Sequence, residues 1–259
     1  MMPWKLVAVG LVAGILGGGL GVGGGIILVP LLVWVGLDRH RAHATSLAGI
    51  ILIGVVGAMS FGYSGELRLD VGLSIGLGGV VGSVVGANAM NRMSARSLTI
   101  VFGVVLLVAG LRMVSGANPL PGAGDLSTAA IIAISIGIGL VAGFFAGVAG
   151  VGGGVVNVPA AVFFIGLAQH EAQGTSLVAI VLTAIAGTWA NLRNGRVVPK
   201  DGLLAGAGGA VGSLLGSQIA LGANEDTLAS AFGVLILLVS LRTLYRALRP
   251  SQSTRATSG

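Results

Sequence analysis

The sequence predicts an all-α polytopic membrane protein made of two inverted repeats, each a glycine-broken re-entrant or short-helix hairpin followed by three transmembrane helices. Three observations predict it. Of 259 residues, 54% are hydrophobic and only 8% charged, with a mean hydropathy of +1.00, too few charges to cover a soluble globule. A glycine-rich stretch occurs twice, at 21–30 (GVGGGIILVP) and 150–159 (GVGGGVVNVP). The rest of the chain repeats with it. Gly21 and Pro30 match Gly150 and Pro159 at an offset of 129; one extra residue then shifts the register to 130. At that register His40 falls on His170, Thr45-Ser46-Leu47 on Thr175-Ser176-Leu177, Gly82-Ser83 on Gly212-Ser213 and Leu111-Arg112 on Leu241-Arg242.

The N-terminus, with Lys5 ahead of an apolar run, has the layout of a secretory signal. The same run recurs at 131–154, inside the chain, so both are read as structural. Clustered glycines cost a helix about 1 kcal/mol each relative to alanine and permit non-helical backbone. The helix is therefore expected to break at 21–25 and 150–154. Residues 4–37 would make about 50 Å of straight helix, too long for one crossing of about 30 Å. Two arms of about 15 residues fit better, as a re-entrant hairpin or as two thin or tilted spans. In hydrocarbon a broken backbone is tolerated only where protein or a watery cavity surrounds it, so the glycines mark an interior site.

Three apolar runs follow each glycine unit: 45–62, 71–90 and 98–114, then 175–192, 203–221 and 228–244. The repeats are thus assigned to 1–114 and 127–248. The Pro- and Gly-containing segment 115–126 is the linker, and 249–259 is read as a disordered tail.

The net charge of +6 and pI near 11.1 do not indicate nucleic acid, because the basic residues occupy short gaps between apolar runs. They report orientation instead. With an odd number of crossings per half, Lys5, Arg39, Arg41, Arg92, Arg96, Arg193, Arg196, Lys200, Arg242, Arg246, Arg249 and Arg255 share one side, and Arg68 and Arg112 lie on the other. The positive-inside rule makes the first side cytoplasmic, with both termini there. Halves with an odd count are inverted relative to each other, an architecture of secondary transporters whose site lies at the repeat interface.

A half-helix beginning at a glycine turn points free N–H groups and its positive dipole end into the protein, an arrangement that holds anions. The alternative for glycines is close helix packing, favoured for Gly78, Gly82 and Gly86 and for Gly208, Gly212 and Gly216, which recur every fourth residue. The candidate substrate-binding residues are Gly21, Gly23, Gly24, Gly25, Thr45, Ser46, Gly150, Gly152, Gly153, Gly154, Asn157, Thr175 and Ser176. The hydroxyls of Thr45, Ser46, Thr175 and Ser176 either cap a helix or donate to a bound oxyanion. His40 and His170 are placed at the membrane surface. Asn88, Asn191 and Gln218 are read chiefly as helix-to-helix hydrogen-bonding groups.

Gly19-Leu20-Gly21-Val22-Gly23-Gly24 satisfies the dinucleotide-binding pattern, but its second copy lacks both the first glycine and the acidic residue, and no strand precedes either. No Asp or Glu lies within a predicted span, which argues against a cation path built on buried carboxylates and against acid–base catalysis. Without cysteine there are no disulfides or thiolate metal sites. No cofactor, metal or enzymatic activity is expected. The expected partners are a small anionic substrate and the lipid bilayer, with homo-oligomerisation left open.

The duplicated G-x-G-G-G-x-x-x-x-P units, the stretches at 42–47 and 172–177 and the glycine-spaced third helices resemble the sulfite exporter TauE/SafE family over about 6–248. The resemblance implies a permease of the cytoplasmic membrane that moves sulfur-containing anions such as sulfite or sulfoacetate out of the cell. A non-transporting membrane scaffold, or a carrier of another small solute, is the alternative. His43 stands opposite Gln173 and breaks the internal match.

Overall fold

The computed structural model describes residues 2–89, 95–116, 119–123, 126–149 and 153–248, and no strand occurs among them. The first half comprises α1 (Pro3–Gly19), α2 (Gly25–Trp34), α3 (Arg39–Tyr63), α4 (Leu69–Ala89) and α5 (Ala95–Val114). The second comprises α6 (Thr128–Ala149), α7 (Gly154–Ala160, continued by a π-helical turn at Ala161–Ile165), α8 (Gln169–Arg193), α9 (Pro199–Gly222) and α10 (Glu225–Leu248). Seven of these, α3 to α6 and α8 to α10, are long and apolar enough to cross a membrane.

Local chemistry explains several boundaries. Asp38 caps α3, its carboxylate accepting from the N–H groups of His40 and Arg41 at 3.1 Å each. Pro3 and Pro199 open α1 and α9, where a missing N–H costs nothing. The chain breaks where the first glycine unit predicts. Gly21, Gly23 and Gly24 take φ of 69°, 69° and 78°, values an L side chain resists. The two arms are unequal, which corrects the expectation of two 15-residue arms. Helix α1 has 17 residues and α6 has 22, whereas α2 has 10 and the Gly154–Ile165 arm is shorter than a span. At 1.5 Å per residue α2 extends about 15 Å, half a bilayer core, so each short arm can only return part of the way.

The halves interleave. Helix α1 lies along α9 and α3, helix α6 along α4, and α4 along α8. The α1–α9 seam is backbone on backbone: a Cβ at Gly208, Gly212 or Gly216 would overlap the carbonyls of Val7, Leu11 and Ile15 in turn. The matched seam repeats this, with Gly78, Gly82 and Gly86 under the carbonyls of Ile136, Leu140 and Phe144. Numbers rise together along both seams, so each pair is parallel. The packing reading of these six glycines is thus the one the geometry carries.

Between α3 and α8 the numbers run oppositely. Leu47 meets Gly187, Gly54 meets Val181, and Phe61 meets Gly174. The same holds between α5 and α10, where Ser240 Oγ donates to the Gly103 carbonyl (2.8 Å) and Gly110 meets Leu237. Matched helices of the two halves therefore run antiparallel. One apolar cluster surrounds α7, with Phe102 stacked on Phe145 at 5.0 Å between ring centres; a second, aliphatic but for Phe61, surrounds α2. Leu20, in the first glycine turn, packs against both.

Candidate substrate site

The first glycine turn is closed by its own backbone. The Gly17 carbonyl accepts from the N–H groups of both Val22 and Gly23 at 2.9 Å, which folds the chain back on α1. Gly24, with left-handed backbone, then starts α2. The first-turn N–H groups of Gly25 and Ile26 have no acceptor among the described residues, as expected for a helix N-terminus without a side-chain cap.

This turn sits against the other half. Ser176 Oγ donates to the Gly21 carbonyl at 2.8 Å, and a Cβ at Gly21 would stand 2.7 Å from the Gln173 Cα. The two glycine units touch: a Cβ at Gly154 would lie 2.8 Å from the Val22 Cα. Both face Ile180, whose methyl groups would meet a Cβ at Gly23 or Gly154 at 2.7 Å, and Ile50, the match of Ile180, closes on Gly23 from α3. The first glycine turn and the start of α7 are thus held together between α3 and α8, and added side chains at Gly21, Gly23 or Gly154 would press on their neighbours.

The remaining predicted residues fall into separate groups. Gly153 and Gly154 begin α7, and Asn157 is buried within it, its Oδ1 without a partner among the described residues. Gly150 and Gly152 lie outside the described residues, as does the 249–259 tail. Thr45 and Thr175 are fully buried and act as acceptors: Thr45 Oγ1 takes the Val198 N–H (3.1 Å) and Thr175 Oγ1 the Arg68 N–H (3.0 Å). Each binds the start of the other half's fourth helix, and the two bonds are matched pairs at the 130-residue offset. Ser46 Oγ donates to the His43 carbonyl, 2.8 Å away.

His170 departs from its expected surface position. It is buried, its Nδ1 3.2 Å from Glu225 Oε1 and its Nε2 2.9 Å from the Ala220 carbonyl, because the α9–α10 turn folds over the start of α8. His40 is exposed. Gln218 joins helices as expected, donating to Ser60 Oγ of α3 (3.1 Å), while the Asn191 side chain, among the described residues, bonds only the Gly187 carbonyl of its own helix. The side chain of Asn88 lies outside the described residues.

Two features escape a sequence reading. Gln173 is completely buried beside Gly21, with neither amide atom hydrogen-bonded among the described residues. An unpaired buried amide costs about 1–3 kcal/mol, so it needs an explanation. Its only signal in the sequence is the mismatch with His43. The second feature is a cleft of about 460 Å³ between α2, the start of α3 and the end of α10. Gly25 and Ile26 line one end; Arg39, His43, Arg242 and Arg246 line the other. The i, i+4 spacing of Arg39 with His43 and of Arg242 with Arg246 is legible, but their meeting is not.

Seven helices long and apolar enough to cross a membrane, a short arm in each half, and contact between Val22 and Gly154 across the halves are features of a multi-pass membrane protein of the transporter class. The sulfite exporter TauE/SafE family model matches residues 1–115 and 135–259, and the chain belongs to that family. It is 26% identical to the probable membrane transporter protein YunE of Bacillus subtilis, over 94% of this chain and 97% of that one. A probable membrane transporter protein of Xylella fastidiosa is 27% identical over 92% of each chain. The probable membrane transporter protein MJ0441 of Methanocaldococcus jannaschii is 29% identical over 40% of this chain and 42% of its own. No solved structure matches.

Proposed function

We propose that the protein is a secondary transporter that exports small sulfur-containing oxyanions, such as sulfite or sulfoacetate, across the cytoplasmic membrane. The observation that carries this reading is the contact of the first glycine turn with the start of α7, Val22 against Gly154, between matched helices that run in opposite directions. An interrupted helix pair at the interface of two antiparallel halves is where a substrate is reached alternately from either side. The family supports the anion, being named for sulfite export. No metal-binding group of His, Asp and Glu occurs among the described residues, and the first glycine turn offers N–H donors in place of carboxylates.

Under this reading the substrate site comprises Gly21 and Gly23 to Gly25, Gly150 and Gly152 to Gly154, Asn157 and Ser176, with Thr45, Ser46 and Thr175 fixing the helices around it. The arginine distribution supports an orientation with Lys5, Arg39 and Arg196 in the cytoplasm, Gly65 outside and both termini cytoplasmic. The decisive experiment is flux into or out of proteoliposomes. Sulfite movement by the wild-type protein is expected, and strict selectivity for a cation or a sugar would overturn the reading. Orientation is read separately: the chain has no cysteine, so Gly65→Cys and Arg196→Cys report cleanly. An impermeant thiol reagent on whole cells should label the first and spare the second; the reverse pattern would remove the assigned orientation.

A further inference from the structure

We propose that the cleft between α2 and α10 is a binding site for a small soluble oxyanion carrying two negative charges, held by Arg39, Arg242 and Arg246 with His43. The inference rests on the transport reading only for its role, that of loading substrate; binding itself is a separate matter.

The cleft holds three guanidinium groups and no carboxylate. Among the described residues, none of Arg39, Arg242 and Arg246 forms an ion pair or hydrogen bond, whereas the nearby Asp38 carboxylate lies 3.8 Å from Arg41. Arg242 and Arg246 stand one helical turn apart on α10, and Arg39 lines the same cleft. Three like charges gathered without a counterion repel one another, and an anion entering between them relieves that repulsion while gaining charge-assisted hydrogen bonds. A dianion gains more than a monoanion. Guanidinium groups suit it because their planar fork matches two oxygens of a tetrahedral or pyramidal oxyanion.

The shape selects a small solute over a lipid headgroup. The cleft does not end at the arginines: it runs along Val29 and Pro30 of α2 to Gly25 and Ile26, whose first-turn N–H groups lack acceptors among the described residues. Gly25 adjoins the glycine turn that meets the other half, so the cleft leads from the basic mouth to that turn. About 460 Å³ holds a hydrated oxyanion with room to spare.

Equilibrium binding of sulfite to purified protein tests this, in detergent with zwitterionic lipid only and again with added phosphatidylglycerol. Arg39→Gln and Arg242→Gln are each expected to weaken sulfite binding about tenfold or more, the loss of one charged hydrogen bond. Arg242→Lys keeps the charge and should retain part of the affinity, which separates a lost site from a lost fold. Lys200→Gln, outside the cleft, should bind as the wild type does. Chloride should compete far more weakly than sulfate. Unchanged binding in both glutamine variants overturns the site, as does equal competition by chloride. Binding of phosphatidylglycerol that sulfite cannot displace would make the cleft a lipid site and also overturn it. Because no flux is measured, failure of the transport reading leaves this result interpretable.

Discussion

Each half has a cleft beside its short arm; the two share the matched positions Ile26 and Val155, Pro30 and Pro159, and Val239 and Ala109, but otherwise differ in the helices that wall them and in their chemistry. One lies between α2 and α10 and is lined by Arg39, His43, Arg242 and Arg246. The other lies between α7, α5 and α6 and is apolar, lined by residues such as Val105, Leu106, Ile138, Phe163 and Phe164. At the internal offset, Arg39 corresponds to Gln169, His43 to Gln173, and Arg246 to Gly116, none of which lines the apolar cleft. Arg242 corresponds to Arg112, whose guanidinium lies over the Phe163 ring, 4.7 Å from its centre. The scaffold is shared because it rests on backbone contacts, which tolerate drift elsewhere. Clefts are made of side chains, and there the halves have diverged. A carrier whose two sides present different charge has different affinities for an anion on each. In the proposed orientation the basic side is the cytoplasmic one, which suits loading for export.

The comparison predicts that the shared seams respond alike. Gly82→Val in the α4–α6 seam and Gly212→Val in the α1–α9 seam each drive a side chain into a facing carbonyl, that of Leu140 or Leu11. Backbone must separate, so each should cost about 3 kcal/mol or more, at or beyond the top of the usual range for overpacking. Membrane abundance and the thermal midpoint in detergent should fall together in both variants. A seam that tolerated valine would break the equivalence of the halves.

Gly23→Val should act differently. Gly23 has φ of 69°, and its added side chain would press on Ile180 and Ile50, where the turns meet. Flexible side chains can yield, so the protein should still insert and fold. Left-handed backbone at a β-branched residue costs about 1–3 kcal/mol, enough to redraw the turn. Flux per folded molecule is expected to drop at least about tenfold, equivalent to about 1.4 kcal/mol. Normal flux per molecule would make this turn a packing feature only.

How far these features could be read beforehand depends on whether they reside in residue identity. The helix break at 21–25 was legible because only glycine is indifferent to positive φ. The packing glycines were legible from their four-residue spacing, but their partners were not, since the facing carbonyls of Val7 and Leu140 belong to the backbone and carry no sequence signature. Thr45 and Thr175 could be seen as important hydroxyls, yet their acceptor role depends on Val198 and Arg68, more than 100 residues away. The basic cleft was hidden for a like reason. Arg39 and Arg242 served as markers of orientation, and nothing local shows that α3 begins where α10 ends. Unequal hairpin arms were missed because apolar content alone does not place the end of α2; Gly36, with φ of 113°, follows it closely.

Gln173 sharpens the comparison from within. Its amide is buried and unpaired beside Gly21, whereas its match, His43, opens on the basic cleft. Gln173→Met keeps the length of the side chain and removes both orphaned polar atoms. Stability should hold or rise by about 1 kcal/mol, because an unsatisfied amide is no longer buried. If the amide serves the path beside the turn, flux should nevertheless fall severalfold. Unchanged flux together with a raised thermal midpoint would show that Gln173 is only an imperfect core residue.

The smallest expected effects come from the most symmetrical pair. Thr45 Oγ1 accepts from the Val198 N–H, and Thr175 Oγ1 from the Arg68 N–H, each closing the loop ahead of the opposite half's fourth helix. Valine matches threonine in shape and removes only the hydroxyl, so Thr45→Val and Thr175→Val should each leave one N–H without its partner. Both sites are partly shielded from water, which sets the cost at about 1 kcal/mol apiece. Because α3 and α8 run antiparallel, with Leu47 at Gly187 and Phe61 at Gly174, the two threonines lie toward opposite ends of the pair and share no partner, so the double variant is expected to lose about the sum. Thermal midpoints of the single and double variants check this. Equal single losses would confirm that the scaffold is still symmetrical where the clefts are not. A loss confined to Thr175→Val would instead mean that divergence between the halves has reached the bonds that join them.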